Sequence, residues 1–356
     1  MSATIVERRV AELVRRCHVG LDTESLQIEV LRRLRSVLTI DAAFFATVDP
    51  ATLLFTSALI ESPLREVTPQ FLANEFGSND VNKFADLARA PVPARSLDTA
   101  TGYDRSKSNR YREIMAPLGL GDELRVALRA GSTVWGVLCL HRQDSPLGFS
   151  DGEVRLLQHV APHVAAGLRH SLLLSHAQNH RTLDAAGLLV LDVETLAISS
   201  TNIAAESALA DLHQSDTEDR ADLPFAIQAI ARHARDSSWM GDAVVPTVRL
   251  RTHAGQWLAL HASMLTSLDG TERVAVVIEA AGAENVASLL LDAYELTPRE
   301  QDVTELVLRG YSTRQIVNEL RISSHTVQDH LKSVFGKFGV GSRRELVSAL
   351  LGASHR

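Results

Sequence analysis

The chain has 356 residues, 45% of them apolar and 22% charged, and a formal net charge of −7. At roughly 100–200 residues per domain this length implies two or three domains. The balance excludes a disordered chain, a collagen-like fibre and a small disulfide scaffold. Cys17 and Cys139, the only cysteines, supply neither a bridge framework nor a zinc set and fit a reducing compartment. No apolar run approaches the roughly 20 residues of a membrane span. Glu7, Arg8 and Arg9 stand where a signal peptide would need an apolar core. The expectation is a cytoplasmic protein with no membrane partner.

In chain order, Leu26, Val30, Leu34, Val37 and Leu38 recur at helical spacing and predict an amphipathic helix. Strand-like runs follow at 42–48 and 53–59. The stretch 91–108, rich in Pro, Ser, Thr, Asp and Gly, reads as a long loop, and a helix is expected near 109–116. Two strong strands, 124–129 and 133–142, flank Ala130-Gly131-Ser132 and predict a hairpin. From Asp151 the pattern is helical, with Val154, Leu157, Ala161, Val164 and Leu168 on one face. Pro162 is expected to kink or divide that helix. The face could pair two chains as a coiled coil or pack on its own sheet, and the pattern leaves both open.

A second segment opens with a strand at 187–193. Helices at 201–212 and 224–235 and strands at 246–251, 257–264 and 273–280 complete it. Leu258, Leu260 and Ala262 alternate as in a half-buried sheet. Both segments therefore predict α+β domains, antiparallel sheets with flanking helices.

The third segment has no strand signal and explicit helix punctuation. Thr297-Pro298-Arg299-Glu300 is a capping box with proline at the first helical position. It starts a helix that buries Val303, Leu306 and Val307 and stops at Gly310. Ser312-Thr313-Arg314-Gln315 opens a short second helix. Ser323 is the N-cap of a third, in which Val327, Leu331, Val334 and Phe338 share a face. After Gly339-Val340-Gly341, Ser342-Arg343-Arg344-Glu345 reads as the capping box of a last helix. Two short helices on a tight turn, followed by a longer one, predict a helix-turn-helix arrangement.

On the other face of the third helix His325, Gln328, Asp329 and Lys332 fall at i, i+3, i+4 and i+7. A helix fits the major groove, where Gln pairs with adenine, Lys with guanine and Asp with a cytosine amine. Hydroxyls and N–H groups at the helix start (Ser323, Ser324, Thr326) suit phosphate oxygens. By spacing alone the same residues also fit a merely solvated face. Charge adds an asymmetry, because residues 321–356 hold six basic and two acidic side chains on an otherwise acidic chain.

These residues resemble a known family. Leu296-Thr297-Pro298-Arg299-Glu300, Gly310, Ser323-Ser324-His325-Thr326-Val327-Gln328-Asp329-His330, Lys337-Phe338-Gly339-Val340 and Ser342-Arg343-Arg344-Glu345-Leu346 are similar to the DNA-binding domain of LuxR-type regulators. The resemblance implies base reading by Gln328, Asp329, Lys332 and, from its place on the same face, His325. It implies backbone contacts from Thr297, Ser312, Ser323, Ser324, Thr326, Lys337 and Arg343, and structural roles for Glu300 and His330. Two positions depart from the family's usual pattern: Val317 where Ala is common, and Gln328 where many members carry Lys. The second removes a positive charge from the groove face and alters the expected operator.

The first segment resembles a GAF domain through Arg112-Glu113, Leu118-Gly119, Asp122–Leu128, Trp135-Gly136-Val137-Leu138, Leu140-His141-Arg142 and Phe149-Ser150-Asp151. The second, through Gly187-Leu188-Leu189-Val190-Leu191-Asp192, Asn202 and Ala204-Ala205-Glu206, resembles a PAS domain. Such domains bind small molecules, or nothing, between sheet and helices, and Trp135, Cys139 and His141 are the candidate ligand-binding residues. They could equally fill the core. Imidazole suits haem iron, but a lone His141 beside Arg142 is the pattern of a surface residue. Cys17 and Cys139 show no local basic cluster of the kind that makes a thiol reactive, and His159 and His163, at i and i+4, have no nearby carboxylate or thiol with which to hold a metal.

No phosphate-binding loop, nucleophile elbow or HExxH motif occurs, so neither enzyme activity, nor a metal, nor a cofactor is expected. The reading is multidomain: 1–180 GAF-like, 181–285 PAS-like and 286–356 an all-α four-helix helix-turn-helix domain. It describes a sequence-specific regulator that binds double-stranded DNA as a homodimer and is controlled by its sensory body, with a small-molecule effector of unknown identity. The alternative is a signalling adaptor whose helical tail binds protein.

Overall fold

The computed structural model describes residues 3–176, 185–213, 223–239, 245–252 and 255–351, which fall into two units, 1–280 and 281–356. The first opens with α1 (Ala3–Cys17) and α2 (Thr23–Leu34). Asp22 caps α2 by accepting from Ser25 N–H at 2.9 Å, and the helix buries Leu26, Val30, Leu31 and Leu34. There follow β1 (Ala42–Val48), β2 (Phe55–Ile60), α3 (Thr68–Gly77), α4 (Phe84–Arg89), β3 (Ala94–Ser96), α5 (Leu97–Thr101), β4 (Leu120–Ala130), β5 (Thr133–Gln143) and α6 (Asp151–His176). The five strands form an antiparallel sheet in the order β2-β1-β5-β4-β3. Gly131, at φ 61°, makes the tight β4–β5 turn that brings Ala130 opposite Thr133.

Three expectations change here. The stretch 91–108 is not a loop: it holds β3, α5 and a 3₁₀ turn, with Ser96 and Gly102 as caps. Ser96 accepts from Thr99 N–H to start α5, Gly102 ends it in the left-handed region, and Arg105 reaches back to Asp98 at 2.6 Å. The helix expected near 109–116 is a π-helical turn at Tyr111–Met115 followed by a 3₁₀ turn at Ala116–Leu118. Finally, α6 continues through Pro162. Pro162 lies on the exposed side of α6, where the carbonyl it frees is open to water. Leu157, Ala161, Val164 and Leu168 are buried, and α6 lies along β4 and β5. That apolar face is taken by the chain's own sheet and is not a coiled-coil seam.

A second antiparallel sheet comprises β6 (Gly187–Asp192) and β7 (Ile198–Thr201), then, beyond α7 (Ile203–Leu212) and α8 (Phe225–Trp239), β8 (Thr247–Arg251), β9 (Trp257–Thr266) and β10 (Glu272–Ala280). Its order, β7-β6-β10-β9-β8, repeats that of the first sheet. The short, exposed β7 carries no apolar alternation, and the sequence pattern missed it. The core is aliphatic: Leu189, Leu191, Val248, Leu258, Leu260, Val274, Val276 and Ile278 meet Ile227, Ile230 and Ala231 of α8.

The two sheets, expected as separate domains, belong to one unit. Helix α8 packs on α3 and β2, and Phe225 sets its ring 5.9 Å from Phe44 and 5.7 Å from Phe55. Asp49, 2% exposed, is gripped by Arg249: Nη2 donates to Oδ1 at 2.6 Å and Nε to Oδ2 at 2.8 Å. Shared aromatic packing and a desolvated, bidentate ion pair tie the two sheets into a single body.

The second unit is all-helical: α9 (Ala283–Ala293), α10 (Pro298–Leu308), α11 (Thr313–Leu320), α12 (Ser324–Phe338) and α13 (Arg343–Leu351). The four expected helices are present. A fifth, α9, precedes them and packs on α13, so the unit starts before the predicted boundary at 286.

Candidate nucleic-acid interface

Local capping chemistry builds the helix-turn-helix. Thr297 and Glu300 close a reciprocal capping box on α10, and Ser312 and Gln315 another on α11. Ser323 caps α12 by accepting from Thr326 N–H at 3.0 Å, and its hydroxyl meets that of Thr326 at 2.8 Å. The last box is only half formed: Ser342 accepts from Glu345 N–H, but the Glu345 carboxylate turns to Gly341 N–H at 2.7 Å.

Helix α12 is two-sided. Val327, Leu331 and Val334 are buried, and the helix packs on α10, α11 and α13. His325, Gln328, Asp329 and Lys332 are all exposed. His325 Nδ1 lies 2.9 Å from the Asp329 carboxylate, whereas Lys332 makes no ion pair among the described residues. The structure therefore brings the four predicted base-reading residues together on one open face. Thr297, Ser312, Ser323 and Ser324 are exposed at helix starts and Thr326 is half-buried.

Lys337 and Arg343 have partners within the domain. The Lys337 ammonium donates to the Glu300 carboxylate at 2.7 Å and the Glu295 carbonyl at 2.9 Å. The Arg343 guanidinium donates to the carbonyls of Val307 and Tyr311 at the end of α10. Both cations hold the domain together before they hold anything else. Glu300 is the anchor, 5% exposed, and also accepts from the Ser333 hydroxyl at 2.6 Å. Burial opposes its charge, but Lys337, Ser333 and Thr297 outweigh that and hold its carboxyl at about 2. Sequence reading missed Ser333. Its signal was the i, i+4 pairing with Lys337 on the α12 side that meets Glu300.

Inside the first sheet lies a network of buried charges. Arg110 donates to Glu123 through Nη2 at 2.6 Å and Nε at 2.9 Å. Arg125 donates to Glu75 at 2.7 Å and sits 3.8 Å from the Phe84 ring centroid. Burial would raise the Glu123 carboxyl, but the two guanidiniums and His141 hold it at about 2. His141 is 2% exposed and so is not the surface residue expected. Burial lowers its pKa to about 4, so it is neutral at pH 7. The Cys139 thiol lies 3.0 Å from Glu123 Oε1 and 3.1 Å from His141 Nε2, and burial pushes its pKa well above the usual thiol range. It has basic neighbours after all, contrary to the sequence expectation, yet remains a thiol.

Of the three candidate ligand residues the structure joins Cys139 to His141. Trp135 is buried elsewhere on β5, with no hydrogen-bond partner for Nε1. The adjoining cavity, lined by His141 and Arg110, is about 10 Å³, room for one water at most. Donor atoms of Glu123, Cys139 and His141 lie within 4.8 Å of one another, a spacing that suits a small metal ion. Two guanidiniums already occupy the carboxylate, so a divalent cation would enter a cationic surround. The trio is a proton-bridged part of the core. On α6, His163 Nδ1 meets His18 Nε2 at 3.2 Å, and its ring centroid lies 5.9 Å from that of His159.

Comparison with known proteins agrees with this division. Residues 294–350 match the family described as bacterial regulatory proteins, luxR family, and residues 22–168 match the GAF domain. The C-terminal unit is a LuxR-type helix-turn-helix domain, and the first sheet with its helices is a GAF domain. Over 58 residues the chain is 40% identical to the HTH-type transcriptional regulator MalT of Yersinia pestis, covering 16% of this chain and 6% of that one. Over 52 residues it is 48% identical to an HTH-type transcriptional regulator of Mycobacterium tuberculosis, covering 15% of this chain and 6% of that one. The chain thus spans only a small fraction of the length of these relatives. Among solved structures it is similar to the GAF domain of an Acinetobacter phosphoenolpyruvate-protein phosphotransferase (13% identity, 51% of this chain and 99% of that one, TM-score 0.34). It is also similar to VqmA of Vibrio cholerae, described with LuxR-type receptors (17% identity, 51% and 86%, TM-score 0.23). No helix among the described residues is long and apolar enough to cross a membrane.

Proposed function

We propose that the chain is a cytoplasmic, sequence-specific DNA-binding transcriptional regulator. The observation that carries this reading is the exposed quartet His325, Gln328, Asp329 and Lys332 on a helix whose opposite face is buried. Gln328 and Lys332 read purine edges in the major groove, and Asp329, oriented by His325, accepts from a cytosine amine. Thr297, Ser312, Ser323, Ser324 and Thr326, at the starts of α10, α11 and α12, face phosphates. Lys337 and Arg343 act behind them by fixing α10 against α12 and α13. Two copies are needed to read half-sites about 34 Å apart, which makes a homodimer the natural acting form. The repeated strand order of the second sheet supports its reading as a PAS-like module, and the joined GAF and PAS-like body is the regulatory input.

Selection of bound fragments from a random duplex pool, run with the full chain and with residues 281–356, tests this. A shared palindrome supports the regulator. A motif from the C-terminal unit alone supports it with restraint by the body. No enriched motif from either at low salt overturns it in favour of a protein-binding adaptor.

A further inference from the structure

A cavity of about 300 Å³ lies beside the second sheet, at the edge of its aliphatic core. Pro69 of α3 forms one wall, and the others come from Leu196 and Ile198 at the β6–β7 turn, Leu209 of α7, and Gln228 and Arg232 of α8. It therefore opens at the seam where the GAF helices meet the second sheet's helices. Ligand sites favour such seams, and this volume is at the lower end of their usual range, roughly 300–1,000 Å³.

No Asp or Glu is among the described residues that line the cavity, and Arg232, 8% exposed, is its fixed charge. Arg232 Nη2 donates to the Glu194 carbonyl at 2.8 Å, while Nε has no hydrogen-bond partner. The neighbouring carboxylates of Asp236 and Glu194 favour its charge from a distance but bond or approach Arg235 instead. Asp236 accepts from Arg235 Nε at 2.7 Å, and Glu194 lies 3.8 Å from Arg235 Nη1. Gln228 spends its amide on the Leu223 carbonyl at 2.6 Å. Burial, with the Arg235 charge beside it, lowers the Arg232 pKa from its ordinary value, and Asp236 and Glu194 offset only part of that.

A guanidinium removed from water and left with a free donor is costly unless something completes its shell. We infer that this cavity is a binding site for a small organic anion, a carboxylate on a short apolar body, with the carboxylate on Arg232 and the body against Leu196, Ile198 and Leu209. The site stands whatever the C-terminal helices bind.

Calorimetric titration of the full chain with sodium hexanoate and octanoate, and with hexan-1-ol and octan-1-ol as uncharged controls, tests it. Saturable binding of a carboxylate is expected, with the matching alcohol at least about tenfold weaker. Arg232→Met, which keeps the stem and removes the charge, is expected to weaken carboxylate binding by about tenfold or more. Its melting temperature should be no lower than that of the parent, because an uncompensated charge has gone. Leu209→Trp, which fills the cavity, should abolish binding. Saturable binding that Arg232→Met leaves unchanged would overturn the inference, as would no saturable binding of either carboxylate by the parent chain.

Discussion

Strands β4 and β5 of the GAF sheet carry Glu123, Arg125, Cys139 and His141 into the interior, whereas their counterparts β9 and β10 carry Leu258, Leu260, Val274, Val276 and Ile278. Both sheets have the same strand order, yet the first carries paired charges into its apolar interior where the second carries aliphatic side chains. Strand order thus leaves the chemistry of the interior open. An aliphatic core is held by fit and tolerates small changes of shape. A charge network is held by completeness, and each member stranded by the loss of another becomes a liability.

The largest expected effect follows from that asymmetry. Glu123→Gln leaves Arg110 and Arg125 without their shared anion and should cost about 3–5 kcal/mol in urea unfolding. A cost below about 1 kcal/mol would show that the network is not a structural unit. Acid should expose the same difference. His141 has a folded pKa of about 4, below its usual 6.5, so the unfolded chain binds the extra proton between these values. Its contribution is fully present above pH 6.5 and is lost as pH falls towards 4, in all about 3 kcal/mol. His141→Gln should flatten that limb of the stability profile, and an unchanged slope would assign it to another group. The C-terminal unit responds later, since Glu300, at about 2, gives up its contribution only as pH falls from 4.5 towards 2.

In the second sheet the vulnerable positions are set by space. A Cβ on Gly187 would lie 2.9 Å from the Ala205 Cα, so Gly187→Ala should cost about 1–3 kcal/mol by overpacking. Thermal unfolding measures it, and a neutral result would mean that α7 can shift off β6. Ile230→Val, which trims the aliphatic core without stranding a charge, should cost only about 0.5–1.5 kcal/mol. A cost approaching that of Glu123→Gln would erase the contrast between the two interiors.

The same contrast explains what the sequence made legible. The C-terminal domain announced itself because its signals are local: capping boxes four residues long and two faces on one helix, which the structure reproduces in α10, α11 and α12. The hairpin, the GAF sheet and the second sheet followed from runs of alternating residues. The charged interior did not, because Glu123 and Arg125 alternate with Leu124 and Val126 and so resemble a solvent face. Helices cover both faces of β4, and the partners that neutralise these charges, Arg110 and Glu75, lie 13 and 50 residues away. The partners of Lys337 and Arg343 within the domain were hidden for the same reason: Glu300 and Tyr311 lie on another helix and in the turn that follows it.

Base reading by α12 is open to a direct comparison of affinities. Full-chain binding to the selected duplex and to a random duplex should be compared for the parent and Lys332→Ala at matched salt. Lys332→Ala is expected to lose about 1–3 kcal/mol on the selected duplex and to change little on the random one. Equal losses on both would make Lys332 a phosphate contact and contradict the assignment of this face to base reading.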